Sequence, residues 1–146
     1  MAFIDLGKVT GHSMPIAGGH FQDRSLTANT WTIITPICDV GESGMILGNR
    51  FVAPEPGWYS LFCEGGAVNT STTGFIGIYL NETSNTNDVL LSYGGLPSNT
   101  IIPFISAEKY LDEGEYFVVK LYYQSAQTTI HNAGRINRFV FRKFAD

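Results

Sequence analysis

Apolar and polar residues alternate along much of this chain with a period of two, which is the pattern of a half-buried β-strand. The clearest case is residues 115–124, where one face is wholly apolar and carries Phe117, Val119, Leu121 and Tyr123. The same alternation in residues 58–64 and 137–144 gives two further apolar faces, which carry Tyr59, Leu61, Cys63, Phe139 and Phe141. We expect these three faces to form the core.

Turn signals divide the chain into short strands. Pro36, residues 54–57 and the glycine pairs at 65–66 and 94–95 separate apolar segments at the spacing of about 8–12 residues that is typical of a sandwich. The other predicted strands are residues 31–35, 45–52, 75–80, 89–93 and 100–105. Residues 106–113 alone have helical character, and we predict a loop or a single helical turn there. Together these segments predict an all-β protein, an antiparallel β-sandwich of jelly-roll topology.

Residues 1–26 follow a different pattern, because glycines interrupt them before any period is established. They are nevertheless too apolar for a solvated linker, with Phe3, Ile4, Leu6, Val9, Met14, Ile16 and Phe21. One interpretation is an edge strand and loop packed on the domain, and the other is an arm that docks on another subunit or a larger assembly. The chain is therefore divided into an N-terminal arm or edge segment, 1–26, and a jelly-roll domain, 27–146.

Composition narrows the classes of protein further. Charged residues make up 15% of the 146 positions and the net charge is −4, which disfavours both a basic nucleic-acid-binding surface and intrinsic disorder. No apolar run approaches the roughly 18 residues of a membrane helix. Residues 1–5 lack the regions of a signal peptide, so we expect no export. Cys38 and Cys63 are expected to be free thiols, and whether they ever pair is left open.

The sequence contains no arrangement that predicts catalysis. There is no nucleophile elbow, phosphate-binding loop or dinucleotide fingerprint, and His12, His20 and His131 are too scattered to form a metal site. Asp112, Glu113 and Glu115 could contribute to a calcium site with Asp88, but a charged turn is the preferred interpretation. We therefore expect a protein that is not an enzyme and has no cofactor or metal.

Basic residues are concentrated near the C terminus, at Arg135, Arg138, Arg142 and Lys143. These side chains are candidate contacts to an acidic partner surface. They could equally be the charged side chains with which an edge strand resists aggregation.

Several short segments resemble the globular head of complement's first component. Residues 51–59 pair an aromatic strand end with a Pro-containing turn, a glycine and a second aromatic strand. Residues 78–81 resemble that family's central strand, residues 111–118 its turn into a long strand, and Phe139-x-Phe141 its closing strand. The resemblance covers residues 27–146. It departs from the family at Glu115, where Asp is usual, and in the lack of a collagen-like stalk.

The resemblance implies a jelly roll of the tumour-necrosis-factor type, which usually assembles as a homotrimer. Aromatic residues on the polar sides of two predicted strands fit this expectation, because they exceed what one small sandwich needs to cover. The candidate trimer interface consists of Trp58, Phe62, Tyr116 and Tyr122. Alternatively, loops of the same subunit cover these side chains.

A head of this family without signal peptide or stalk resembles the small jelly-roll proteins of tailed bacteriophages. It implies a capsid decoration, or cement, protein, made in the host cytoplasm and located on the virion surface. Such a protein would bind the major capsid protein through the N-terminal arm and stabilise the assembled head. The alternative is a receptor-binding adhesin or fibre tip that recognises a host glycan or protein through residues 81–88 and 94–99. An exported cytokine-like or complement-like ligand is disfavoured by the missing signal peptide.

Overall fold

The computed structural model describes residues 13–64, 74–80, 89–96, 104–129 and 137–146. Within these ranges the chain forms thirteen strands and one 3-10 turn, Ser43–Met45. The strands are β1 (Ile16–Phe21), β2 (Arg24–Leu26), β3 (Thr32–Ile33), β4 (Pro36–Gly41), β5 (Ile46–Leu47), β6 (Arg50–Val52), β7 (Gly57–Glu64), β8 (Gly74–Leu80), β9 (Val89–Leu96), β10 (Phe104–Leu111), β11 (Tyr116–Tyr123), β12 (Gln127–Thr129) and β13 (Arg138–Ala145). None of the described residues belongs to a helix long and apolar enough to cross a membrane.

Two antiparallel sheets make up the sandwich. The first, which we call the five-stranded sheet, has the order β10-β7-β13-β1-β4. The second sheet has the order β5-β6-β11-β8-β9, with β3 paired to β11, and a small ribbon joins β12 to β2. All the described pairings are antiparallel. The predicted antiparallel β-sandwich is therefore confirmed.

The core lies between the two sheets and is rich in aromatic rings. Phe51 from the second sheet packs edge-on against Phe139 and Phe141 of β13, with ring centroids 4.9 and 5.7 Å apart. Every residue that alternation assigned to the three apolar faces is buried here. The period-two pattern therefore predicted correctly which sides of β7, β11 and β13 face inward.

Two predicted segments differ in the structure. Residues 104–111 form strand β10, which pairs with β7 along its whole length, so the predicted loop or helical turn over residues 106–113 is wrong. Residues 45–52 do not form one strand, because the turn at Gly48 and Asn49 folds them into a short hairpin of β5 and β6.

The boundary at residue 26 is corrected by the placement of β1 and β2. Strand β1 lies inside the five-stranded sheet, between β13 and β4, and Ala17, Phe21 and Leu26 are buried in the core. Residues 16–26 are therefore part of the sandwich, in line with the interpretation of a packed strand, although β1 is not at an edge. Residues 1–12 lie outside the described residues.

The two cysteines are too far apart to pair. Cys63 lies on β7 and Cys38 on β4, with β13 and β1 between them. Three strand spacings amount to roughly 14 Å, whereas the Cα atoms of a disulfide lie within about 7 Å. Both thiols are free. Burial, assisted by the Glu64 carboxylate, raises the pKa of the Cys63 thiol far above its ordinary value.

The aromatic core predicts a large cost for truncating Phe51. We expect Phe51→Ala to lower the free energy of unfolding by about 3–5 kcal/mol, because the substitution would leave a cavity between the two sheets. Urea unfolding followed by circular dichroism measures this. Leu47→Ala, at an exposed position of the same hairpin, should change it by less than about 0.5 kcal/mol. Equal losses for the two variants would contradict the described core.

The cysteine placement predicts two reactivity classes. In the native protein a thiol-specific disulfide reagent should modify the half-buried Cys38 and leave the buried Cys63 unmodified. After unfolding in denaturant, the reagent should also modify the second thiol. Rapid modification of both thiols in the native protein would contradict the structure. So would a failure to modify either thiol after unfolding without reductant, since it would indicate a disulfide.

Candidate assembly face

The outward side of the five-stranded sheet is unusually apolar. Each strand contributes at least one large exposed side chain to it, and Val40 and Phe104 are 67% and 65% exposed. We call this surface the apolar face, and its members are Ile16, Val40, Trp58, Phe62, Phe104, Tyr110, Val140 and Phe144. An antiparallel sheet ordinarily places polar residues on its outward side, so this surface departs from the usual alternation.

Strand register places these side chains in continuous rows. One row crosses all five strands and runs Ser106, Phe62, Val140, Gly18 and Val40. Beside it, the rings of Phe62 and Phe104 lie 5.2 Å apart. Trp58 and Tyr110 form an edge-on pair at 6.0 Å. The apolar face therefore consists of two apolar patches, one around Phe62 and one around Trp58, and the outward row Glu108, Ser60, Arg142 and Ile16 lies between them.

A depression of about 480 Å³ lies in this face where Gly18 provides no side chain. Its apolar walls include Val40, Phe62 and Val140. A Cβ atom at Gly18 would lie 3.2 Å from Cγ2 of Val40, so a larger residue would fill the space. The depression has the shape and chemistry to accept an apolar side chain from another molecule.

An ion pair and a histidine–carboxylate hydrogen bond border the apolar face at one end. Arg138 and Glu64 are 3.3 Å apart, and Nδ1 of His20 lies 2.7 Å from a carboxylate oxygen of Asp39. Glu64, Arg138 and Asp39 also contribute to the lining of the depression. An apolar centre with a polar border is the usual anatomy of a protein interface.

On the outward side of the second sheet, other parts of the same chain cover most of the aromatic side chains. Tyr79, Tyr116 and Val118 are buried there and pack against Ile33 and Val52. The guanidinium of Arg50 lies 4.3 Å from the centre of the Tyr116 ring. The buried Lys120 places Nζ 4.6 Å from the Tyr79 ring.

The structure does not bring the four candidate trimer-interface residues together. Trp58 and Phe62 lie on the apolar face, whereas Tyr116 and Tyr122 lie on the outward side of the second sheet. Tyr116 is only 8% exposed, and Tyr122 packs against Trp31. The prediction for Trp58 and Phe62 stays a prediction. Residues of the same chain bury Tyr116 and half-bury Tyr122, which agrees with the alternative that these side chains are covered within one subunit.

The N-terminal docking residues are also separated. Phe3, Ile4, Leu6 and Val9 lie outside the described residues. Met14 and Ile16 are exposed. Phe21 is buried against Phe51 and Phe139, so its predicted role in docking is wrong, because reaching a partner would require the core to open.

The basic cluster divides in the same way. Arg135 lies outside the described residues. Arg138 is paired with Glu64, and Arg142 points outward beside Ser60 and Ile16.

Lys143, in contrast, is buried, and its Nζ lies 2.6 Å from Asp146 and 2.7 Å from Glu55. Hydrogen bonds to Asp146 and Glu55 raise the pKa of Lys143. The prediction that Lys143 contacts an acidic partner is therefore wrong, because its ammonium is bound within the chain.

The acidic cluster is a turn. The backbone N–H of Asp112 donates to a carboxylate oxygen of Glu115 at 2.9 Å, and Gly114 has a φ of 86°, which favours glycine. Asp88 lies outside the described residues. Within the described part of the chain, no three His, Cys, Asp or Glu side chains are arranged to hold a metal ion.

Comparison with known proteins identifies the fold. The chain is similar to two crystal structures of murine APRIL, with TM-scores of 0.69 and 0.70 at 12% and 10% identity. Each comparison covers 90% of this chain and 100% of the other. The structure of Eiger TNF from S. frugiperda gives a TM-score of 0.62 at 11% identity, covering 92% of this chain and 95% of the other.

The chain folds as a tumour-necrosis-factor-like jelly roll. This confirms the predicted fold class, and at such low identity the likeness concerns the fold alone. No protein-family model matches the sequence. No curated protein matches it significantly either.

The Lys143 pairs predict a specific pH dependence. A lysine whose folded pKa is raised stabilises the fold fully below its unfolded pKa, and this contribution is lost as the pH rises through the folded value. Lys143→Met should therefore lower the urea midpoint equally from pH 7 to 10, and the difference should narrow above the ordinary lysine pKa of 10.5. The exposed Lys109 is the control, since Lys109→Met should have little effect. A wild-type midpoint for Lys143→Met would contradict this account.

Proposed function

We propose that this chain assembles as a homotrimer through its apolar face and that the trimer is a non-enzymatic structural protein of a virus particle. The observation that supports the assembly is the set of large exposed apolar side chains to which all five strands contribute. An apolar surface of this extent ordinarily meets a partner. A second copy of the chain is the partner that the fold type favours.

The apolar face also has the asymmetry that a closed ring needs. Most of the aromatic side chains belong to β7 and β10 at one side, and the Gly18 depression begins at Phe62 and extends over β13, β1 and β4 towards the other side. A contact between two different surfaces repeats from copy to copy and closes into a ring when the rotation allows it. Three copies are what the tumour-necrosis-factor-like resemblance implies.

We further propose that the trimer is a decoration protein of a bacteriophage capsid. Binding to the assembled head and not to free subunits would stabilise the head by mass action. Residues 1–12 would contact the major capsid protein, and three such arms per trimer would strengthen a weak single contact. Phage-type function is supported by the resemblance of this charge-poor head to small phage jelly rolls. The second candidate is a fibre-tip head that recognises a host receptor.

The assembly is tested by light scattering. The full chain should have the mass of a trimer, and Phe62→Asp and Val140→Asp should give folded monomers, because each places a charge in the centre of the interface. Leu90→Asp is the matched control, since Leu90 is exposed on β9 of the other sheet, and it should remain trimeric. A monomeric wild-type chain, or trimers for both face variants, would overturn the proposal.

The viral role is tested by immunogold labelling of particles from cultures that produce this chain. We expect gold on the surface of the heads. Gold at fibre tips would support the receptor-binding candidate, and purified particles that contain none of the protein would overturn both viral roles. This outcome is independent of the oligomeric state.

A further inference from the structure

We propose that the outward side of the second sheet carries a carbohydrate-binding site built around Trp31. The site consists of Trp31, Phe75, Tyr122 and Gln124, which line a depression of about 360 Å³, and we call it the Trp31 platform. It lies on the opposite sheet from the apolar face. Its ligand binding therefore does not depend on the proposed assembly or on a viral role.

Three partly exposed rings form the floor of the platform. Trp31 lies 5.4 Å from Tyr122, and Tyr122 lies 5.9 Å from Phe75, with the ring planes inclined by 43° and 39°. Behind them, Trp31 packs edge-on against Tyr79 at 6.1 Å. Gln124 is exposed at the border and adds an amide that both donates and accepts hydrogen bonds.

A second depression of about 400 Å³ adjoins the first, and Trp31 lines both. Hydroxyl and amide side chains dominate its lining: Ser25, Thr27, Thr30, Thr32 and Asn49. The remaining lining residues are Arg24 and Ile33. Aromatic rings on one side of Trp31 are therefore followed by hydrogen-bonding groups on the other.

This combination fits the chemistry of a short glycan. A pyranose ring has an apolar face of C–H groups, which packs on an aromatic ring, and a border of hydroxyls that need hydrogen-bonding partners. A site with an apolar floor and a few directed polar groups satisfies both requirements. A protein partner would favour a more continuous apolar surface, such as the one on the five-stranded sheet. The described lining contains one cation and no carboxylate, so an acidic sugar is compatible with it.

The platform is held in place before any ligand binds. The backbone N–H of Asn29 donates to the carbonyl of Tyr123 at 2.8 Å, and the hydroxyl of Tyr122 donates to the Asn29 side chain at 3.0 Å. Asn29 has a φ of 55°, a turn conformation that Asn tolerates. Just beyond Trp31, β3 pairs with β11. Because Trp31 is already held in place, less conformational entropy would be lost when a ligand binds.

The two tryptophans of the chain permit a direct test, because Trp31 lies on the platform and Trp58 on the apolar face. In a Trp58→Phe background, the remaining fluorescence reports on Trp31. The probes are triacetylchitotriose, maltotriose and 3′-sialyllactose, followed by a broad glycan array. We expect at least one of these glycans to change the Trp31 emission and to show saturation transfer by NMR.

Variants locate the binding. Trp31→Ala should weaken the affinity about tenfold or more, as measured by NMR, and Gln124→Trp should do the same by filling the depression while leaving the core intact. Trp58→Ala is the matched control and should bind the glycan normally. Far-UV circular dichroism confirms that each variant is folded.

Three outcomes would overturn the proposal. The first is the absence of any signal from the probes and the array, and the second is normal glycan binding by both platform variants. The third is binding of the protein to host cells that is lost after the cells are treated with protease but not after they are treated with glycosidases. The last outcome would indicate a protein partner. Glycan binding by a Phe62→Asp monomer would support the site even if the proposed assembly failed.

Discussion

Strand β13 carries apolar side chains on both sides, and the rest of the five-stranded sheet depends on how each side is covered. Its inward residues Phe139 and Phe141 pack on Phe51 and hold the two sheets together. Its outward residues Val140 and Phe144 remain exposed. The core therefore satisfies only one side of the strand. The other side is left uncovered by the described residues of a single copy.

The two sheets differ in how their outward apolar side chains are covered. On the second sheet, the segment that carries Trp31 and β3 folds back over the outward side and buries most of Tyr79 and Val118. On the five-stranded sheet, the row from Phe62 to Val40 stays exposed. This difference is the basis of the two separate proposals for these surfaces. One is suited to assembly, and the other presents a small, partly polar platform suited to a ligand.

Period-two alternation was enough to predict which sides of β7, β11 and β13 face inward. Lys143 has the same parity as Phe139 and Phe141 and faces inward in the structure, but we assigned it to a partner surface because of its charge. Strand β10 could not be predicted, since Ala107, Glu108 and Lys109 suit a helix and only pairing with β7 makes them a strand.

Strand β1 was not predicted because its glycines, Gly18 and Gly19, interrupt the alternation of apolar and polar residues. Packing against a neighbouring strand explains why glycine is present. At Gly19, a Cβ atom would lie 1.8 Å from the carbonyl oxygen of Ile37, so the bulge between β1 and β4 needs glycine. The coverage of Tyr116 and Tyr122 could not be predicted either. It depends on where β3, β6 and the Trp31 segment lie in space, and alternation carries no information about that.

The central claim is that the apolar face becomes buried between copies of the chain. Trp58 tests it most directly, because it is 44% exposed in a single copy and becomes the only tryptophan in a Trp31→Phe variant. The measurement is acrylamide quenching of its fluorescence over a dilution series. We predict weak quenching at high protein concentration and strong quenching once the assembly dissociates. Strong quenching at every concentration, from a folded protein, would contradict the claim.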